Sequence, residues 1–179
     1  MTDVAVAFRR DLWIPLDRGE VPVTEGLAAL QARETGTGPS AAGMAGIVAR
    51  ARTMPTIADT AERFLLVGDG SWHVLELTVG DTATDKPLDP ATDLPGRSVE
   101  ELELANGLRG HRLVTMESAG VIEGLLDAPS ELLFPHLHYF LANSGDGIWV
   151  YAGILVPDPA FLPAVSRVSE ELLAGIEQG

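Results

Sequence analysis

Two histidines alternate in the short stretch His136-Leu137-His138. On an extended strand, residues two apart point to the same face, so both imidazoles would lean over one patch of sheet. Paired imidazoles are how many transition-metal centres begin, because a neutral ring nitrogen is a good ligand for zinc-class ions. Two ligands do not complete a site. A third has to come from His73, Glu76, His111 or Glu117 on neighbouring strands, and no spacing sets their register. With such a third ligand, the chemistry on offer is metal-assisted hydrolysis. Without one, His136 and His138 are polar residues that begin a strand.

The other chemistries are poorer. Asp81, Asp85, Asp89 and Asp93 are oxygen donors of the kind calcium takes, but they lack the alternating ligand spacing of an EF-hand, so a solvated acidic loop over Thr82–Pro95 is expected. There is no cysteine, no Gly-x-Ser-x-Gly, no Ser-x-x-Lys and no Walker lysine. Thiol, serine and phosphate-loop chemistry are thereby set aside. Glu100-Glu101 and Glu170-Glu171 read as charged outer faces of helices, not as acid–base pairs. No motif assigns a catalytic residue or a cofactor. Trp72, Trp149 and Tyr139 are the aromatic residues that would line a pocket for a small apolar ligand, although anchoring a core is the commoner role. Leu132-Leu133-Phe134-Pro135 either enters the core or forms an apolar lip for a partner.

Charge narrows the partners. With 26 acidic and 12 basic residues the formal net charge is −14. Such a field repels phosphate backbones and anionic headgroups, so neither nucleic acid nor membrane is an expected partner. Another protein, presenting basic or apolar surface, is. The absence of cysteine suits a reducing compartment. Asp3 stands where a signal peptide carries basic charge, and a cytoplasmic location is expected. The longest apolar run, Ile148–Val156, is about half of a membrane-spanning helix.

The elements that must position these residues follow from periodicity. A chain of this length suits one domain, residues 1–179, burying roughly 70% of its unfolded surface. Phe161, Val165, Val168, Leu172 and Ile176 form one helical stripe behind Asp158-Pro159, a capping acceptor with a fixed φ. Ahead of it, His136–Asn143 and Ile148–Val156 flank Ser144-Gly145-Asp146-Gly147 as a hairpin. Apolar residues on both faces of the second strand mark it as central. Phe64-Leu65-Leu66-Val67, Gly68-Asp69-Gly70 and Trp72 repeat the device. Thr24–Glu34 and Ala41–Arg52 read as helices, Val4–Phe8, Leu12–Leu16 and His111–Met116 as strands. Ser98-Val99-Glu100-Glu101 has capping-box spacing and Asn106-Gly107 is a natural helix end, which predicts a short helix over Val99–Ala105.

The run His138–Val150, followed by Pro157-Asp158 and the closing helix, resembles the final hairpin and helix of Mog1/PsbP-like domain proteins of actinobacterial type. Trp13-Ile14-Pro15-Leu16 echoes the Pro-x-Gly-Trp opening of such domains. The resemblance implies a twisted antiparallel sheet with helices packed on it, used as a binding or assembly platform, and it carries over no catalytic residue. The expectation is an α+β fold, one antiparallel sheet of about five to seven strands with the C-terminal helix across it. The leading functional expectation is a non-catalytic cytoplasmic binding or assembly protein. The alternatives are a metal-assisted hydrolase using His136 and His138, and a carrier of a small apolar ligand.

Overall fold

The structure is a computed structural model and describes residues 4–33, 41–54, 61–68, 71–82, 99–122, 130–143, 145 and 147–178. In chain order the elements are β1 (Val4–Val6), β2 (Trp13–Pro15), α1 (Glu20–Arg33), α2 (Ala41–Arg52), β3 (Glu62–Gly68), β4 (Ser71–Asp81), β5 (Val99–Glu103), β6 (Arg109–Ile122), β7 (Ser130–Asn143), β8 (Ile148–Leu155), α3 (Leu162–Leu173) and β9 (Ile176–Gln178). Seven strands form one antiparallel sheet in the order β2-β3-β4-β8-β7-β6-β5, while β1 pairs with β9. The expected α+β architecture is present, and β8 is central, between β4 and β7. No helix among the described residues is long and apolar enough to cross a membrane.

Alternation divides the sheet into two faces. Val150, Ala152 and Ile154 of β8 point one way, with Leu75, Leu77, Leu137 and Leu141 beside them, and α3 covers this face with Val165, Leu172 and Leu173. On the opposite face, α1 and α2 lay Val23, Met44 and Val48 over Ile14, Leu65, Val67 and Val74, at the β2-β3-β4 end. Farther along that second face, over β8, β7 and β6, the outward row changes character to Tyr151, His136, His138, Thr115 and Glu117.

Two expectations are corrected. Residues 99–105 do not form a helix: Val99–Glu103 is strand β5, paired with β6. Asn106-Gly107 makes a hairpin turn instead of a helix end, with Gly107 at φ +81 and the Leu104 N–H donating to the Leu108 carbonyl at 2.8 Å. Of the two glutamates that suggested a helix, Glu100 faces Arg112 directly across the ladder and Glu101 faces His111, and Glu103 beyond them faces Arg109. Opposite charges in register on the β6 ladder override the helix propensity of Glu, Leu and Ala in this segment, as tertiary context commonly does.

The closing helix is also shorter than its stripe. Asp158 caps a single 3-10 turn by accepting the Ala160 N–H at 2.9 Å, and Pro163 falls in the first turn of α3, where its missing N–H costs nothing. The helix stops at Leu173 because Gly175 presses against the chain beside β1: the Ala7 N–H donates to the Gly175 carbonyl at 2.7 Å. Ile176 therefore sits in β9, still buried in the same core. The open carbonyls of Leu173 and Ile176 each accept from Asn106 Nδ2 at 3.0 Å.

At the other end, Arg63 ties the helical layer to the sheet. Its guanidinium meets both carboxylate oxygens of Asp17, at 2.6 and 3.0 Å, and donates to the Arg52 and Met54 carbonyls at the end of α2. The Arg63 hydrogen bonds hold the Asp17 carboxyl below its ordinary range. Arg63→Met is expected to lower stability by about 2 kcal/mol, since it strands two carbonyls and a carboxylate. Urea unfolding checks this, and Asp17→Ala in the same background should add less than it does alone.

Candidate metal centre

The β6–β7 register decides what the histidines meet. Thr115 stands opposite His136, and Glu117, two residues on, points to the same face. Glu117 Oε1 lies 2.5 Å from His136 Nδ1 and 4.0 Å from His138 Nε2. One donor atom from each of the three residues falls within 4.8 Å of the others. Donors on a tetrahedral zinc-class ion stand about 3.4 Å apart, a spacing between the two separations from Glu117 Oε1 given above. The two imidazoles are stacked, with centroids 4.0 Å apart.

Both ring nitrogens of His138 are engaged. Thr115 Oγ1 and His138 Nε2 are hydrogen-bonded at 2.9 Å, and Tyr151 Oη and His138 Nδ1 at 3.0 Å. Gly153 stands opposite His138 on β7 and opposite Glu76 on β4. Its missing side chain makes room: a Cβ there would lie 2.8 Å from Tyr151 Oη and 3.0 Å from His136 Nε2. His136 is buried and His138 nearly so, whereas Glu117 reaches solvent.

Burial sets the form of two of the side chains here, His138 and Tyr151. Burial, helped by the adjacent His136 and opposed by Glu117, pushes His138 down to about 4. The ring is neutral at pH 7, the state in which a histidine ligates. Burial, with Glu76 and Glu117 adding negative charge, pushes the Tyr151 phenol up to about 12, so it keeps its proton.

Among the four residues proposed as a third ligand, the fold brings in Glu117. His73 points to the opposite face, where its ring packs near Phe161 and its Nδ1 lies 3.4 Å from the Leu155 carbonyl. Glu76 shares the face but is separated from His138 by Gly153. His111 stands opposite Phe140, away from the trio along β6. Of the acidic quartet, Asp81 ends β4, while Asp85, Asp89 and Asp93, with almost all of the Thr82–Pro95 loop, lie outside the described residues.

The aromatic trio is not brought together. Tyr139 is fully buried on the α3 face, where its hydroxyl donates to the Ser166 carbonyl at 3.1 Å, and burial raises its pKa. Trp72 packs beside the helical layer and Trp149 lies on Gly80. They share the opposite face but stand eight residues apart along β4, roughly 26 Å. A hollow of about 200 Å³ elsewhere is lined by Phe8, Trp13, Arg10 and Arg18 instead. Both of these arginines are ion-paired, with Glu25 and Glu62. In the Leu132–Pro135 segment Pro135 is buried, Phe134 half-buried and Leu133 exposed, so it divides between core and surface; the Leu132 side chain lies outside the described residues.

Sequence reasoning missed Thr115, Tyr151 and Gly153. Gly153 had a readable signal, since a glycine inside a central strand marks a close approach by other groups. A scan against protein-family models and searches of curated proteins and of solved structures find no match to this chain.

Proposed function

We propose that this protein binds one divalent transition-metal ion through Glu117, His136 and His138, with a coordination position left for water or substrate. The observation that carries this reading is the arrival of Glu117 beside His136 Nδ1 through the β6–β7 register. Three protein ligands with an open position are the arrangement in which a metal lowers the pKa of bound water, so metal-assisted hydrolysis is the chemistry such a centre offers. The surrounding negative charge favours a cation.

The test is elemental analysis of tag-free protein, with a thermal-shift series in zinc, cobalt, nickel and manganese. Metal at about 100 times its dissociation constant adds roughly 2.7 kcal/mol, a rise of about 5 to 11 °C for a chain of this size. EDTA should reverse the rise and His136→Ala should remove it. No stoichiometric metal and no shift with any ion would sink the reading.

A second reading, a binding or assembly platform, draws on the other side of the same hairpin. Val114, Met116 and Leu133 share the α3 face of β6 and β7 and are 41, 53 and 46% exposed. An apolar strip on an acidic molecule suits a partner with apolar and basic surface. The Mog1/PsbP-like resemblance supports a platform of this kind. Met116→Glu should then abolish capture of that partner without changing the melting temperature.

A further inference from the structure

The two stacked imidazoles present different atoms to the candidate centre. His136 turns Nδ1 toward Glu117, and His138 turns Nε2 toward Glu117 and Thr115. Their other nitrogens, His136 Nε2 and His138 Nδ1, lie on the far side, where Tyr151 Oη sits over Gly153. We infer that His136 binds the ion through Nδ1 and His138 through Nε2, and that Tyr151, admitted by Gly153, is the positioning residue that holds His138 in the required tautomer. This rests on the metal-binding reading above and adds which atoms bind and what orients them.

The argument is one of hydrogen-bond direction. A neutral imidazole has one N–H and one lone pair, and the partner of the first determines where the second points. If His138 Nδ1–H donates to Tyr151 Oη, the Nε2 lone pair faces the centre. In the metal-free protein the Thr115 hydroxyl occupies that lone pair, so a metal must displace it, and at His136 the proton shared between Nδ1 and Glu117 Oε1 must leave, to Nε2 or to solvent, before Nδ1 can bind. Tyr151 and Thr115 thus act on the same ring with opposite consequences: one prepares the ligand, the other competes for it. Gly153 belongs to the device because any side chain there would fill the space in which Tyr151 Oη and His136 Nε2 meet.

Zinc affinity by chelator competition, with cobalt as a visible probe of geometry, separates these roles. Tyr151→Phe keeps the ring against Phe140, 5.2 Å away between centroids. It should weaken zinc binding 10- to 100-fold, the usual effect of losing an outer partner of a ligating histidine. Thr115→Val should tighten binding about fivefold, the loss of one competing neutral hydrogen bond. Gly153→Ala should weaken binding at least as much as Tyr151→Phe. Imidazole ¹⁵N NMR of the metal-free wild type should show His138 protonated at Nδ1, with the Nε2–H form gaining in Tyr151→Phe. A wild type that takes up none of zinc, cobalt, nickel and manganese overturns the proposed function and this inference with it. Normal uptake with unchanged affinity in Tyr151→Phe, weaker binding in Thr115→Val, or an Nε2-protonated His138 in the metal-free wild type overturns this inference alone.

Discussion

Gly110→Ala is expected to destabilise the protein by roughly 3 kcal/mol or more, whereas Gly46→Ala should stabilise it by about 0.5–1 kcal/mol. The chemical change is the same; the surroundings differ. Gly110 lies in β6 between Leu102 of β5 and Leu141 of β7. A Cβ built on it would stand 2.0 Å from the Phe140 carbonyl oxygen and 3.0 Å from Leu141 Cα. Both are backbone atoms, so no rotamer change relieves the clash and the β6–β7 ladder has to open. That ladder also delivers Glu117 to His136, so the variant should lose metal response together with stability. Gly46, exposed on α2, would place its Cβ in open space, where alanine removes the entropy that glycine loses in a helix. Urea midpoints at equal m-value measure both. Gly110→Ala within 1 kcal/mol of wild type, about the typical effect of a substitution, would mean that the strands do not approach as closely as described.

The contrast shows where sequence reading succeeds in this chain. Signals that repeat over several residues survive: the stripe through Val165 and Leu172, the alternation of β8, and the helix Ala41–Arg52 were all readable because each is a local pattern facing a core. Signals that share their chemistry with a different structure do not. Asn106-Gly107 serves a helix end and a hairpin turn equally, and the Glu-rich residues before it were resolved only by Arg112 and Arg109 across the ladder. Ile176 continued the helical stripe in sequence, and the contact of Gly175 with Ala7 moved it to a strand.

The candidate centre divides in the same way. His136 and His138 follow from two-residue spacing, which is local. Glu117 was one of four possibilities because its place depends on a register set between strands, and it lies one residue beyond the stretch that read as strand. Tyr139 and Tyr151 are both aromatic residues of central strands, yet parity puts one in the α3 core and the other beside the histidines. Tyr139 was chosen from the sequence, and Tyr151 is the one in contact with His138.

Acid should weaken the metal-free protein from about pH 6.5 downward, and His138 is the chief cause. In the unfolded chain a histidine takes up its proton near pH 6.5, while in the fold His138 does so at about 4, chiefly because the ring is buried and secondly because His136 lies against it. Between those values the unfolded state binds the proton and the folded state does not. Stability therefore rises with pH across this window, is complete above about 6.5, and is lost as pH falls toward 4, by about 3 kcal/mol in all. His73, also lowered by burial, contributes in the same direction from the other face. Asp17, lowered by Arg63, acts below its unfolded value near 3.9, so its loss comes later in an acid titration. Urea midpoints in EDTA from pH 7 to pH 4 should trace the loss. His138→Gln, which keeps an amide for Thr115 and Tyr151, should flatten the curve to the share left by His73. A slope unchanged by that substitution would assign the acid sensitivity elsewhere and would mean that His138 is not held neutral by its surroundings.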